Sequence, residues 1–250
     1  MREFRPLANT FFPPVVKNLL IINGIMFLAT NVFGRSLGID LNRLLGLYYF
    51  ESPNFRIWQI FTHLFMHGDI MHIFSNMLAL WMFGSVLENY LGSKRFLQYY
   101  IITGLGAACL HLGIQYFEVQ ALKQNLSAAT IHEVLTNGAN IVKQEMMYSD
   151  PGAAAYTAAL FFPTVGASGA VFGLLLAFGM LFPNALIYLY FFLPIKAKYF
   201  VILYGLFELY SGIVNNPADN VAHFAHLGGM LFGYILIKLW RIRRPGDFFM

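Results

Sequence analysis

Long apolar runs, separated by shorter polar stretches, dominate the chain from end to end. A helix needs about 20 mostly apolar residues to cross the hydrocarbon core of a bilayer, and six stretches approach that length. They predict membrane spans at about residues 19–33, 70–87, 96–117, 159–182, 199–214 and 220–239. The first stretch lacks the small-residue cleavage pattern of a signal peptide, so we interpret it as a retained anchor. The pattern predicts an all-α, polytopic membrane protein with six transmembrane helices.

Two segments between these runs are not expected to cross the membrane. Residues 118–150 scatter charges among Gln, Asn, Ser and Thr, which favours amphipathic helices such as one over residues 119–136. Residues 185–193 are apolar but too short to span, and the turn signal at Pro183 separates them from the fourth span. With no internal repeat, low-complexity tract or linker, the pattern predicts one membrane domain over residues 1–250.

Composition agrees with this interpretation. Hydrophobic residues make up 58% of the chain and charged residues only 11%, against about 25% charged residues in soluble domains. The single cysteine, Cys109, excludes an intrachain disulfide. The net charge of +4 would favour nucleic acid as a partner of a soluble protein, but in a membrane protein the positions of the positive charges indicate topology, and no nucleic-acid partner is expected.

The distribution of Lys and Arg predicts the orientation of the spans. Cytoplasmic loops of membrane proteins carry an excess of these residues. With six spans, one side holds eleven of them: Arg2, Arg5, Lys17, Lys94, Arg95, Lys196, Lys198, Lys238, Arg241, Arg243 and Arg244. The other side holds five: Arg35, Arg43, Arg56, Lys123 and Lys143. We therefore expect both termini in the cytoplasm and residues 118–150 on the outer side, in a plasma (inner) membrane.

Polar residues inside three of the spans are predicted to meet at one depth. In hydrocarbon, polar side chains are costly and tend to face the interior of the bundle. His72 and Asn76 are four residues apart, on one face of the second span. Ser168 lies in the fourth span and His226 in the sixth. At 1.5 Å per residue, all lie about 10 Å below the outer surface, if each helix starts where the apolar pattern starts.

Small residues on the fourth and sixth spans predict that these two helices approach closely. Gly169 and Gly173 form a small-xxx-small pattern on the fourth span, and Gly229 and Gly233 form another on the sixth. Such patterns let helix backbones come together in membranes. A hydrogen bond between a serine and a histidine on these spans would need such an approach, although ordinary helix packing explains each pattern equally well.

Three motifs, in this order and on these spans, resemble those of the rhomboid family. They are WQIFTHLFMH at residues 58–67 followed by His72 and Asn76, GASG at residues 166–169, and AHLGG at residues 225–229 followed by Gly233. The resemblance covers nearly the whole chain except residues 118–150. Many family members have Arg after the tryptophan of the first motif, where this chain has Gln59.

The resemblance implies an intramembrane serine endopeptidase that cuts transmembrane segments of other proteins. It implies that Ser168 is the nucleophile and that His226 is the general base, then the general acid for the leaving amine. His72 and Asn76, with the backbone N–H of Ser168, would donate to the oxyanion. The substrates would be transmembrane proteins that enter laterally from the lipid bilayer. The oligomeric state stays open.

The resemblance also implies which residues support this serine–histidine dyad. In the family an aromatic side chain packs on the imidazole, and Phe172 stands at that position, so no carboxylate would be needed to orient the histidine. Gly166, Gly169 and Gly229 belong to the motifs around the dyad. We expect no cofactor and no metal.

Some of the polar residues also allow other interpretations. His63 and His67 have the i, i+4 spacing of metal ligands, but the Glu that a metalloprotease places after the first histidine is missing. Glu208, in the middle of the fifth span, is expected to have a structural role, and His223 to be a polar residue near the rim of the site. Both dyad residues are present, which disfavours a catalytically inactive membrane-protein binder. A channel or transporter would be expected to show an inverted repeat or paired broken helices.

Overall fold

The described residues form a helical bundle with one small hairpin. The structure is a computed structural model that describes residues 10–189, 192–214 and 221–245. The helices are α1 Pro14–Leu37, α2 Leu41–Leu45, α3 Gln59–Thr62, α4 Ile70–Ala79, α5 Ser85–Leu91, α6 Ser93–Asn125, α7 Ala128–Lys143, α8 Pro151–Phe161, α9 Ser168–Leu181, α10 Ala197–Val214 and α11 His223–Leu239. The prediction of an all-α polytopic membrane protein is confirmed.

Short elements join or flank these helices. A 3₁₀ turn at His63–Phe65 leads towards α4, and a π turn at Leu80–Gly84 joins α4 to α5 in one continuous helix, Ile70–Leu91. The apolar segment after Pro183 forms part of an antiparallel hairpin, in which β1 Leu186–Leu189 pairs with β2 Leu193–Lys196.

Four helices in the described part of the chain are long and apolar enough to cross a bilayer. They are α1, the continuous helix Ile70–Leu91, α6 and α10, and they correspond to the first, second, third and fifth predicted spans. The fourth and sixth predicted spans correspond to the shorter apolar helices α9 and α11. The beginning of the sixth predicted span, residue 220, lies outside the described residues, and the helix observed there starts at His223.

The predicted start of the fourth span is wrong. α8 ends at Phe161 and α9 begins only at Ser168, with a non-helical connection between them. Pro163 lies in this connection and disfavours a continuous helix, because proline lacks the backbone donor and clashes with the preceding turn. Gly166 has a φ of 131°, which only glycine adopts readily. Ser168 is therefore the first residue of its helix, and not a residue in its third turn.

α9 is too short to cross the whole hydrocarbon core of a bilayer. Fourteen helical residues rise about 21 Å at 1.5 Å each, whereas the hydrocarbon core is about 30 Å thick. If the other end of α9 reaches the inner edge of the core, Ser168 lies about 9 Å below the outer edge. Under this condition, the depth expected for Ser168 would result from a short helix and not from a long one.

The predicted boundary within residues 118–150 is also wrong. α6 continues to Asn125, beyond the predicted end of the third span at residue 117, and a separate helix, α7, begins after Ser127. The residues that follow position 117 include good helix formers such as Leu, Lys and Gln, so the helix persists after the apolar run ends. The Ser127 hydroxyl then caps α7 by accepting from the Thr130 N–H at 3.0 Å.

α7 and α8 pack together through a second apolar cluster, distinct from the main core. The buried members of this cluster are Tyr49, Val119, Val134, Val142, Ala153, Tyr156, Leu160 and Phe161. Gly138 on α7 faces the ring of Phe161, which lets the two helices approach. The polar segment is thus folded, with α7 packed on α8.

α9 lies in the centre of the main bundle. It packs against α6, α10, α11 and the helix that contains α4 and α5. Eleven of its fourteen residues are buried, as expected for a helix that is apolar on all sides.

Glycines set the separation of α6, α9 and α11. A Cβ on Gly229 of α11 would overlap the backbone carbonyl oxygen of Gly169 on α9, and a Cβ on Gly169 would overlap Ala107 of α6. The predicted close approach of the fourth and sixth spans is therefore confirmed at Gly169 and Gly229. A Cβ on Gly173 would overlap Thr103 of α6, and a Cβ on Gly233 would lie 3.3 Å from the carbonyl oxygen of Gly173.

A buried carboxylate caps the start of the first helix, α1. Glu88 is 1% exposed. Its two oxygens accept from the backbone N–H groups of Val15 at 3.0 Å and Val16 at 2.8 Å, which have no acceptor within the first turn of α1.

Substituting Gly229 by Ala should destabilise the bundle. The added methyl group meets a backbone carbonyl that cannot rotate away, so we expect a loss of about 1–3 kcal/mol, seen as a lower thermal unfolding temperature in detergent. Gly113→Ala on α6 is the matched control, because no described atom beyond its neighbours lies within 4 Å of its Cβ position. Equal unfolding temperatures for the two variants would contradict this prediction.

Candidate active site

Ser168 and His226 meet where α9 and α11 begin. Ser168 Oγ lies 2.9 Å from Nε2 of His226. Ser168 is half-buried as the first residue of α9, and His226, in the first turn of α11, is 8% exposed. They flank the contact of Gly169 with Gly229, so the close packing of the two helices brings the two side chains within hydrogen-bonding distance.

The ring of Phe172 packs flat on the imidazole of His226. The ring centroids are 4.1 Å apart and the planes differ by 9°. Phe172 is four residues after Ser168 on α9, so both project from the same face of that helix. The stacking agrees with the position expected from the resemblance, and it restricts rotation of the imidazole.

A carboxylate contacts the other nitrogen of His226. Oε2 of Glu208, on α10, lies 2.8 Å from Nδ1 of His226 and 2.7 Å from Nδ1 of His223. Glu208 is 2% exposed and His223 is 8% exposed. The expectation that His223 is a polar residue near the rim is wrong, since this side chain is buried against the same carboxylate.

Sequence reasoning missed this cluster, although a signal was present. A carboxylate inside a predicted span, followed by two histidines three residues apart on the next span, indicates a functional group in a membrane protein. The resemblance implied that no carboxylate was needed, so Glu208 was expected to be structural and was not connected with His226.

His72 and Asn76 lie on α4, and His72 faces the segment that leads into α9. A Cβ placed on Gly166 would be 2.7 Å from His72 Nε2 and 3.6 Å from Ser168 Oγ, which places the imidazole of His72 beside the segment that carries Ser168. Asn76 is 5% exposed. Its Nδ2 donor has no hydrogen-bond partner among the described residues, which is uncommon for a buried polar group.

The connection before Ser168 is held from both sides. Leu47 and Thr164 exchange two backbone hydrogen bonds of 2.8 Å, and the N–H of Gly166 donates to the carbonyl of His63 at 3.0 Å. The Thr164 hydroxyl is also 2.9 Å from Nε2 of His111 on α6. These contacts fix the backbone that leads into α9, so Ser168 has a defined position although it follows a non-helical segment.

Gln59 stabilises the long loop between α1 and α4. Its side chain is buried, and Nε2 donates to the carbonyls of Asn54 at 3.0 Å and Leu44 at 3.3 Å. Its Oε1 accepts from the backbone N–H of Arg56 at 2.9 Å. The glutamine therefore satisfies backbone groups of this loop at the position where many members of the family that the sequence resembles have arginine.

His63 and His67 are buried in the same loop. His63 Nδ1 is 2.9 Å from the carbonyl of Gln59. Burial lowers the pKa of His63 from 6.5 to about 4, and burial likewise lowers the pKa of His67 to about 4. Both imidazoles are therefore neutral near pH 7.

A metal site built from these loop histidines is not what the geometry favours. Among the described residues, Glu208, His223 and His226 form a group that could hold a metal ion. Their potential ligand atoms all lie within 4.8 Å of one another. The described His63 and His67 belong to no such group.

Comparison with known proteins places these residues in a family. A family model described as the rhomboid domain matches residues 54–243. The chain is 29% identical to RHOMBOID-like protein 12, mitochondrial, of Arabidopsis thaliana over 236 residues, which are 94% of this chain and 60% of that protein. It is 26% identical to RHOMBOID-like protein 1 of the same plant over 277 aligned residues, 99% of this chain and 58% of that protein.

A bacterial protein is similar over a shorter region. The chain is 30% identical over 94 residues to Rhomboid protease GlpG of Salmonella choleraesuis (strain SC-B67), which is 37% of this chain and 32% of that protein. The chain thus spans 60% and 58% of the length of the two plant relatives and a smaller part of this bacterial one.

Acid should loosen the loop that carries His63 and His67. Their folded-state pKa of about 4 lies below the unfolded value of 6.5, so the unfolded chain binds more protons, and stability falls as the pH drops from about 6.5 to 4. Each histidine contributes up to about 3 kcal/mol to this change. Thermal unfolding in detergent at several pH values measures it.

A double substitution isolates the two histidines in this experiment. His63→Gln combined with His67→Gln should flatten the pH dependence of the unfolding temperature, whereas His132→Gln, at an exposed position on α7, should leave it unchanged. The interpretation fails if both variants keep the slope of the parent protein.

Proposed function

This chain belongs to the rhomboid family, and on that premise we propose that it is an intramembrane serine endopeptidase that cleaves transmembrane segments of other membrane proteins. The observation that carries the proposal is the 2.9 Å contact between Ser168 Oγ and His226 Nε2, inside a bundle of apolar helices. A serine within hydrogen-bonding distance of a histidine is the arrangement that nucleophilic acyl transfer requires.

In the proposed reaction, Ser168 attacks the carbonyl carbon of the scissile peptide bond. As the new C–O bond forms, the hydroxyl proton moves to Nε2 of His226. Collapse of the tetrahedral intermediate breaks the C–N bond, and His226 returns the proton to the leaving amine. Water, activated by the same imidazole, then hydrolyses the acyl-enzyme and regenerates Ser168.

Three donors are proposed to stabilise the oxyanion. They are His72, the Asn76 side-chain amide and the backbone N–H of Ser168. The unpartnered Nδ2 of Asn76 supports this role, because a buried donor held without a partner is available to a charge that develops only during the reaction. Ser168 begins α9, where the first N–H groups of a helix have no acceptor within the helix.

The substrate is proposed to be a transmembrane segment that unwinds locally before it is cut. A regular helix engages its carbonyl groups in hydrogen bonds, so a helical substrate hides the bond that Ser168 must attack. Residues that weaken a helix near the cleavage site should therefore favour cleavage.

The proposed location is a plasma membrane, with both termini in the cytoplasm and the site open to the outer side. The excess of Lys and Arg at one end of the spans supports this orientation. The start of α9, about 9 Å below the outer edge of the core, would then be reached by water from outside.

Removing either member of the dyad should abolish activity. In detergent, the parent protein should react with a fluorophosphonate probe and cleave a model transmembrane substrate, whereas Ser168→Ala and His226→Ala should do neither. Ser36→Ala, at an exposed position near the end of α1, should behave as the parent. A folded parent protein that neither reacts nor cleaves would support an inactive rhomboid-like membrane-protein binder instead.

Asn76→Ala should lower catalysis without unfolding the protein. We expect kcat to fall about 10²-fold or more at nearly unchanged KM, because the donor acts in the transition state. The unfolding temperature should change little, since Nδ2 has no partner to lose among the described residues. Ser75→Ala, next to it on the exposed face of α4, is the control. A fall in unfolding temperature with unchanged kcat per folded molecule would indicate a structural role.

A further inference from the structure

We infer that Glu208 is a positioning residue for His226, so that Ser168, His226 and Glu208 form a triad whose carboxylate is held in place by His223. The inference rests on the proposed serine endopeptidase function and departs from the carboxylate-free dyad that the resemblance implied. It identifies a third helix, α10, as a contributor to the catalytic arrangement.

The hydrogen bonds form one continuous series through His226. Ser168 Oγ lies 2.9 Å from Nε2, and Nδ1 of the same ring lies 2.8 Å from Glu208 Oε2. For Nε2 to accept the serine proton, the neutral imidazole must carry its hydrogen on Nδ1. Glu208 accepts that hydrogen, and therefore favours the one tautomer that can act as a base towards Ser168.

The charge on Glu208 matters most when the serine proton has moved. In that step the O–H bond of Ser168 breaks, an N–H bond forms at Nε2, and His226 becomes an imidazolium ion. The Nδ1 hydrogen stays on the ring, so Glu208 remains a carboxylate and stabilises the neighbouring positive charge. Because Glu208 is only 2% exposed, water screens this interaction weakly.

Burial of the Glu208 carboxylate also explains why His223 lies beside it. A carboxylate inside a protein is costly unless donors surround it. Nδ1 of His223 lies 2.7 Å from the same oxygen, Oε2, that contacts His226. By donating to Oε2, His223 both offsets the burial of Glu208 and fixes the direction in which its carboxylate points.

The packing of α10 on α11 positions Glu208 for this contact. Gly212 follows Glu208 by four residues on α10, so the two lie on one face of that helix. A Cβ on Gly212 would come within 3.3 Å of His223 Cβ and of the ring of Phe224. The absent side chain therefore lets α10 come close to the first turn of α11.

Phe172 does not replace the carboxylate. Its ring lies parallel to the imidazole of His226 at 4.1 Å and restricts the tilt of that ring, but a phenyl face offers no acceptor in line with the Nδ1–H bond. Stacking fixes the plane of the imidazole, whereas Glu208 fixes its tautomer.

A metal ion bound by Glu208, His223 and His226 is the alternative for the same residues. Ligand atoms of one tetrahedral zinc ion, each about 2.0–2.1 Å from the metal, lie about 3.3 Å from one another. The separations of 2.7 and 2.8 Å from Oε2 to the two Nδ1 atoms are shorter and match charge-assisted hydrogen bonds.

The first test compares Glu208→Gln with the parent protein in detergent. The amide keeps the shape of the side chain, but it carries no charge and can donate hydrogen bonds as well as accept them. We expect kcat and the rate of fluorophosphonate labelling of Ser168 to fall about 10²–10⁴-fold, with KM for a transmembrane substrate nearly unchanged. Glu208→Asp should recover part of the loss, and His223→Gln should lose about tenfold or more.

Glu88→Gln is the matched control. Glu88 is an equally buried helical carboxylate, 1% exposed, whose partners are the capped N–H groups of α1 and not the dyad. The Glu88→Gln substitution should lower the unfolding temperature but leave the rate of fluorophosphonate labelling per folded molecule as in the parent. If Glu208→Gln behaves in the same way, the positioning role is overturned and Glu208 is merely structural.

A second test needs no substitution at Glu208. Nuclear magnetic resonance of the parent protein with ¹⁵N-labelled histidine, assigned with His226→Gln and His223→Gln, should show His226 with its hydrogen on Nδ1 and a downfield proton resonance typical of a hydrogen bond to a carboxylate. A neutral His226 with its hydrogen on Nε2 overturns the inference, as does activity that a chelator removes and Zn²⁺ restores.

These outcomes separate the inference from the function on which it rests. If the parent protein labels at Ser168 and Ser168→Ala does not, while Glu208→Gln labels at the parent rate, the protease proposal holds and the triad does not. If the folded parent itself neither labels nor cleaves, the proposed function fails and the triad fails with it.

Discussion

The backbones of α9 and α11 come together at Gly169 and Gly229, because a Cβ on Gly229 would occupy the place of the Gly169 carbonyl oxygen. Ser168 immediately precedes one of these glycines, and His226 precedes the other by three residues. Their 2.9 Å contact therefore follows from how closely two helices pack, and not from the flexibility of a loop. α6 supports the same packing, since Ala107 fills the space where Gly169 has no side chain.

The surrounding apolar helices raise the free-energy cost of leaving any polar group in the site without a hydrogen-bond partner. Where water is scarce, an unpaired polar atom is costly, so Glu208, His223, His226 and Ser168 satisfy one another in a connected set of hydrogen bonds. The amide donor of Asn76 stays unpartnered among the described residues. A group that remains unsatisfied in the folded protein stores interaction energy that a developing oxyanion can use, which is why it supports a catalytic interpretation over a structural one.

The non-helical connection before α9 leaves the backbone N–H group of Ser168 without an acceptor inside a helix. A helix continued from α8 would engage the N–H group of Ser168 in its own hydrogen bonds, whereas a helix that starts at Ser168 leaves that group free of an acceptor within the helix. Pro163 and Gly166 disfavour continuation, and the backbone pairing of Leu47 with Thr164 holds the connection in place. The loop between α1 and α4 thus contributes to the site without supplying Ser168 or His226.

By itself, the sequence determined the all-α membrane architecture and identified Ser168, His226, His72 and Asn76 as the candidate site residues, because apolar runs and short motifs are local properties of the chain. The start of α9 was missed, although Pro163 could have indicated it, since the apolar run continues through the break. Only the tertiary structure showed that Glu208 contacts His223 and His226. α10 is apolar on most of its faces, so its sequence does not fix its rotation towards α11; that rotation depends on packing at Gly212, a contact between residues on different helices that no local pattern encodes.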